Sequence, residues 1–121
     1  MKQRATRFAK MVQAEVSSIL LDGLKDPRVQ NAGFITITHV TVSDDLGVAR
    51  VMVTLHERDD QREKELIAGL TSARPFLQRE LMRRLQSKKV PELRFVIDET
   101  EERAERVEAL LKEIARERDV G

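Results

Sequence analysis

The chain has 121 residues and carries 22 Lys or Arg against 21 Asp or Glu, so its formal net charge is only +1. That length supports one domain with a modest core. The absence of Cys excludes disulfides, zinc clusters and thiol nucleophiles, four Phe without Tyr or Trp leave little for stacking bases on a sheet, and near-neutrality by itself argues against a nucleic-acid binder. No apolar run approaches the roughly 18 residues of a membrane span, and the basic N-terminus lacks a signal peptide's apolar core. We therefore expect a cytoplasmic protein without membrane attachment.

Over residues 4–24, Phe8, Val12, Val16, Ile19 and Leu20 recur at helical spacing and Gly23 supplies a stop, which predicts an amphipathic first helix. Arg7 and Lys10 fall opposite the apolar stripe, with Gln3, Ala14 and Ser17. Lys25, Asp26, Pro27 and Arg28 form a breaker, because Pro27 has no N–H donor and restricts Asp26 to extended geometry. Residues 34–43 and 48–57 then read as a hairpin about a turn at residues 43–47. In the first strand the apolar phase moves from Ile35 and Ile37 to Val40 and Val42, which predicts a bulge near His39. The second strand alternates, with Ala49, Val51, Val53 and Leu55 on one face and Arg50, Met52, Thr54 and His56 on the other.

A helical stretch follows, carrying Leu66, Ile67 and Leu70 and then Leu77, Leu81 and Leu85. Pro75 sits inside it, removes the bond to the Thr71 carbonyl and disfavours helix at Arg74, so two helices or one sharp kink are expected. Arg79, Arg83 and Gln86 lie opposite the leucines, and Phe76 falls outside the stripe. Leu93, Phe95 and Ile97 alternate as a third strand. Residues 98–118 read as a charged helix with Asp98 as N-cap and Glu101 at the capping-box position. Its narrow stripe of Ala104, Val107, Leu111 and Ile114 is compatible with packing on the domain or with fraying as a tail. The expected fold is α+β, an αββααβ domain over residues 1–98 with a three-stranded sheet packed by helices, followed by a charged C-terminal helix or tail over residues 99–121.

Counting charge by segment changes the picture. Residues 1–28 hold six positive groups against three negative, residues 58–97 ten against six, and residues 98–121 five against nine. A basic body and an acidic end cancel in the total. His39, His56, Asp44 and Asp45 read better as bulge, strand-end and turn residues than as a constellation, so we assign no catalytic residue, no metal ligand and no cofactor. The glycines at 23, 33, 47, 69 and 121 never fall three apart, which excludes the GxxG backbone clamp of ordinary KH domains. Positive charge is concentrated at Arg4, Arg7 and Lys10, and along Arg74, Arg79, Arg83, Arg84, Lys88 and Lys89. If these elements share one side of the sheet they form a ridge suited to phosphates and to the shape of folded RNA. A plain charged surface and a protein-interaction face are the alternatives.

Three ordered motifs point to a family. Lys25, Asp26, Pro27 and Arg28; Val40, Thr41, Val42, Ser43, Asp44, Asp45 and Leu46 with Ala49 and Val51; and Val90, Pro91, Glu92, Leu93, Arg94 and Phe95 with Asp98 together resemble the bacterial ribosome-binding factor A family, over roughly residues 3–115. The resemblance implies a type II KH-like fold in which a kink between two helices, usually Ala, any residue, then Gly, replaces the GxxG loop. It maps that interhelical kink to Ala73, Arg74 and Pro75. It further implies a non-enzymatic factor that binds the free 30S small ribosomal subunit and assists late maturation, including 5′-end processing of 16S rRNA. Such a factor is associated with growth in the cold and leaves before translation begins. Pro75 stands where the family usually has Gly, which obstructs close approach of an RNA backbone. Gln78 stands where an Arg is common, which removes a phosphate contact that Arg74 or Arg79 would replace. The first and third motifs read as mainly structural. The expected partners are the 30S subunit and 16S rRNA, bound by a monomer. The competing reading is a protein-interaction module whose C-terminal helix or β-face meets a ribosomal protein or an assembly GTPase.

Overall fold

Apolar periodicity at the start of the chain becomes α1 (Lys2–Asp22), which buries Ala5, Ala9, Val12, Val16 and Ile19 along one face. The computed structural model describes residues 2–120, with side chains for residues 3–119. Gly23, at φ +91, takes the left-handed conformation that ends α1, and its N–H returns to Leu20 O at 3.1 Å. The breaker that follows contains a short helix that periodicity did not reveal, α2 (Pro27–Gln30). Asp26 is extended as expected, at φ −67 and ψ 122, and its carboxylate accepts from Arg28 N–H to cap α2.

β1 (Ile35–Val42) and β2 (Val48–Leu55) pair antiparallel from Ile35 opposite Leu55 to Val42 opposite Ala49. Their register shifts between Ile37 and His39, the bulge that the change of apolar phase predicts. β1 starts after Phe34, which the sequence reading places in the strand but which is 83% exposed. In the turn the positive φ falls on Leu46, at 60, not on Gly47. Ser43 Oγ stabilises that turn by accepting from the N–H groups of Gly47 and Val48 at 3.1 and 3.0 Å.

α3 (Asp60–Ser72) and α4 (Arg74–Leu85) lead to β3 (Glu92–Ile97), which joins β2 in parallel from Val48 opposite Glu92 to Val53 opposite Ile97. The sheet order is β1-β2-β3. α1 packs on β1 and α4, and α3 packs on α2 and β3, so the helices form one layer. Val12, Val16, Val51, Val53, Leu66, Leu70, Leu77, Leu81 and Leu93 are sealed between that layer and the sheet. Arg50, Met52, Arg94 and Val96 occupy the opposite side of the sheet and are exposed or half-buried.

α5 (Thr100–Val120) continues from β3. The N-cap position is Glu99, whose carbonyl accepts from the Arg103 N–H at 3.0 Å, and not Asp98 as expected; Asp98, one residue earlier, still ties the start of the helix, accepting from the Thr100 N–H at 2.9 Å and from the hydroxyls of Thr100 and Thr38. These hydroxyls, Thr100 first, together with the Thr100 N–H hold the Asp98 carboxyl at about 2. Glu101 makes no reciprocal capping-box bond among the described residues. Apart from half-buried Glu102, every described α5 side chain is exposed. The helix therefore neither packs along the domain nor loses its structure.

Candidate nucleic-acid interface

The break between α3 and α4 is built from backbone geometry at Ala73. This residue has φ −83 and ψ −2, donates to Gly69 O at 3.0 Å and accepts from Leu77 N–H at 2.9 Å, so it ends one helix and begins the next. Pro75 lies in the first turn of α4, where a helical N–H has no partner within the helix and a proline is tolerated. The expected kink is present, with its centre at Ala73 and not at the proline. Two arginines brace it. Arg28 pairs with Asp26 at 2.7 Å and donates to Ser72 Oγ at 3.1 Å. Arg74 donates to Glu92 Oε1 and to Leu93 O, each at 3.3 Å.

The nine candidate cations therefore separate into two groups. Arg74 is bound to the start of β3. Arg83 pairs with Glu80 at 2.8 Å, and the guanidinium holds the Glu80 carboxyl below its ordinary value. Arg84 is half-buried, reaching Ser18 Oγ at 3.1 Å and the carboxylates of Glu15 and Asp22 at 3.4 Å, so it ties α4 to α1. By contrast, Arg4, Arg7, Lys10, Arg79, Lys88 and Lys89 are exposed and make no side-chain hydrogen bond or ion pair among the described residues. Their charge is free for a ligand.

Most of these free cations sit toward the end of the domain where the hairpin turns. The turn's Gly47 O accepts from Glu92 N–H at 2.9 Å, which places the start of β3 there, and Arg74 holds the kink to the same strand. Lys88 and Lys89 lie in the loop leading into β3. Lys10 borders a groove shared with His39, Val42 and Asp44 at the end of β1, and Arg4 and Arg7 precede it on α1. Arg79 stands on the outer side of α4, where Phe76 and Met82 are also exposed, at 44% and 36%. Leu21 and Phe34 are still more exposed and line a second groove between α1 and β1. The sequence reading missed both because each lies within an otherwise apolar run. Among the described residues no cluster of three or more His, Asp or Glu could hold a metal, and no helix is long and apolar enough to cross a membrane.

An αββααβ order, a three-stranded mixed sheet with its helices in one layer, and a kinked helix pair before the last strand define a KH-like domain in which the kink stands in place of GxxG. Residues 4–111 match the family model described as ribosome-binding factor A, and the chain belongs to that family. It is 42% identical over 120 residues to the ribosome-binding factor A of Pelobacter propionicus, covering 98% of this chain and 94% of the relative. The fold is similar to the crystal structure of ribosome-binding factor A from Thermus thermophilus, with a TM-score of 0.60 at 22% identity over 77% of this chain and 94% of that one. It is also similar to a homology model of the Thermus thermophilus factor as fitted into a cryo-EM map of its complex with 30S. There the TM-score is 0.56 at 21% identity, over 83% of this chain and 97% of that one.

Proposed function

We propose that this chain binds the free 30S ribosomal subunit and assists late maturation of 16S rRNA, including processing of its 5′ end. The relative fitted into a map of its 30S complex supports the choice of partner. The observation that carries the mode of binding is the set of six cations that are unpaired among the described residues, Arg4, Arg7, Lys10, Arg79, Lys88 and Lys89, on a domain with few exposed rings. Such a surface takes phosphates and reads the shape of folded RNA; it does not read base edges. Arg74 and Arg84 hold α4 to β3 and to α1, while Arg83 pairs within α4.

The test is sedimentation with purified small subunits over a range of salt. Charge reversal at Arg79, Lys88 and Lys89 is expected to weaken binding and to lower the slope of log affinity against log salt by roughly one for each phosphate no longer neutralised. An unchanged slope sinks the assignment of these residues. Equal affinity of the unaltered protein for free small subunits and for complete ribosomes contradicts an assembly role.

A further inference from the structure

One aromatic ring of the domain is left outside the core beside a cation that has no partner. α4 packs on α1, α3 and β3 and buries Leu77 and Leu81. Phe76, about 100° and 140° round the helix from these leucines, is 44% exposed, and Pro75 before it is exposed as well. The first turn of α4 therefore presents two apolar rings to solvent, next to the kink at Ala73.

The charges around Phe76 say what it suits. On the helix surface Arg83 falls about 20° from Phe76, Arg79 about 60° to the same side and Glu80 about 40° to the other. Glu80 and Arg83 pair at 2.8 Å, so the charge left beside the ring is that of Arg79, which has no partner among the described residues. Residues three apart are neighbours on a helix, with Cβ atoms about 5–6 Å apart, the scale on which a nucleotide holds its base from its own phosphate. α4 carries four arginines against one glutamate, and Lys88 and Lys89 follow in the next loop, so an anionic partner is attracted to this end of the helix. An apolar protein surface closing over Phe76 would bury Arg79 without a counter-charge, whereas a nucleotide brings a flat π face and an anion together.

We propose that Phe76 and Arg79 form a stacking platform for one unpaired base of rRNA, the ring taking the base and the guanidinium its phosphate. The inference rests on the 30S-binding reading above and adds to it a requirement for a nucleotide outside a duplex, because a paired base within a helix has no face to offer. Stacking on a ring tolerates any base, so no base edge is read.

The test uses full-length variants and purified small subunits. The chain has no Trp or Tyr, so Phe76→Trp keeps a ring and introduces a single indole, whose emission is expected to be quenched when subunits bind and a base stacks on it. Phe76→Leu keeps an apolar side chain of good helix propensity but removes the ring. It is expected to lose about 5- to 50-fold in subunit affinity. The slope of log affinity against log salt should not change, because no phosphate contact is lost. Phe76→Tyr should bind as the unaltered protein does. Phe34→Leu serves as the control, since that ring is 83% exposed in a groove lined by no cation, and its affinity should not change. A blue shift without quenching would mean that the indole enters an apolar protein surface, and would overturn the proposal. So would unchanged emission on binding, equal affinity of Phe76→Leu, a Phe76→Tyr variant as weak as Phe76→Leu, or an equal loss in Phe34→Leu. Failure of the unaltered protein to bind subunits at all would instead overturn the 30S reading itself.

Discussion

Gly69 offers the most direct test of how the kink is held. It sits in the third turn of α3, where an ordinary Gly→Ala change would stabilise a helix by about 1 kcal/mol. Here a Cβ would stand 2.9 Å from Val29 Cγ2, 3.2 Å from Arg28 Cβ and 3.4 Å from Asp26 Oδ1. Val29 is buried and β-branched, so its methyl has no free rotamer to adopt, and α2 must move away from α3. Overpacking of this kind costs about 1–3 kcal/mol, which exceeds the gain in helix propensity. Gly69→Ala is therefore expected to destabilise the protein by about 1 kcal/mol, a drop of roughly 4 °C in Tm, measured by thermal and urea unfolding. Val29→Ala removes the methyl that collides, so the double variant should be more stable than the sum of the single effects by about 1 kcal/mol. A stabilised Gly69→Ala, or additive single effects, would refute the argument that close approach of α2 requires glycine.

Other consequences follow from the same contacts. Pro75→Ala should change stability by less than about 1 kcal/mol and leave the helix break in place, because Ala73, Arg28 and Arg74 define it; loss of the break by hydrogen exchange or NMR would contradict this. Arg84→Ala should lower Tm, since it leaves Glu15 and Asp22 without their shared partner, whereas Arg79→Ala should leave Tm unchanged and weaken only subunit binding. The Asp98 carboxyl, held at about 2 in the fold against 3.8 ordinarily, contributes stability that is complete above about pH 4 and is lost as pH falls through 2. Asp98→Asn should flatten acid unfolding in that window by roughly 1 kcal/mol, given its partial exposure to solvent; an unaltered acid profile would count against the assignment.

The alternation in β2 and the shift of apolar phase in β1 were legible because a half-buried strand has a period of two, and an extra residue must move the phase. The helices of the core were legible for the same reason at a period of about 3.6. α2 was not, since a helix this short shows no period, and its evidence lies in what Pro27 and Asp26 do to the backbone. The conformation of Leu46 was also hidden. A turn with Gly47 in it suggests that glycine takes the positive φ, yet Gly47 instead places its N–H near both Ser43 Oγ and Asp45, at 3.1 and 2.9 Å. For α5 the apolar stripe was visible, but whether the domain offers it a surface depends on the direction in which Asp98 and Arg58 fix the first turn.

Charge was the least legible property, because cations look alike in a sequence and differ in what they are already holding. Six of the nine candidates are unpaired among the described residues, and the other three pair with Glu92, Glu80, Glu15 and Asp22, which come from three different elements. The two motifs that read as structural account for part of this division. Arg28, from the first, reaches Ser72 on one side of the kink, and Glu92, from the third, receives Arg74 on the other. These exposed pairs contribute little to stability, and their effect is geometric. They tie the end of α3 to α2 and the start of α4, the helix that carries Arg79, to β3. In the proposed interface Arg28 is therefore an orienting residue, and Arg28→Ala is expected to weaken subunit binding without lowering its salt slope, which separates it from a residue that touches phosphate.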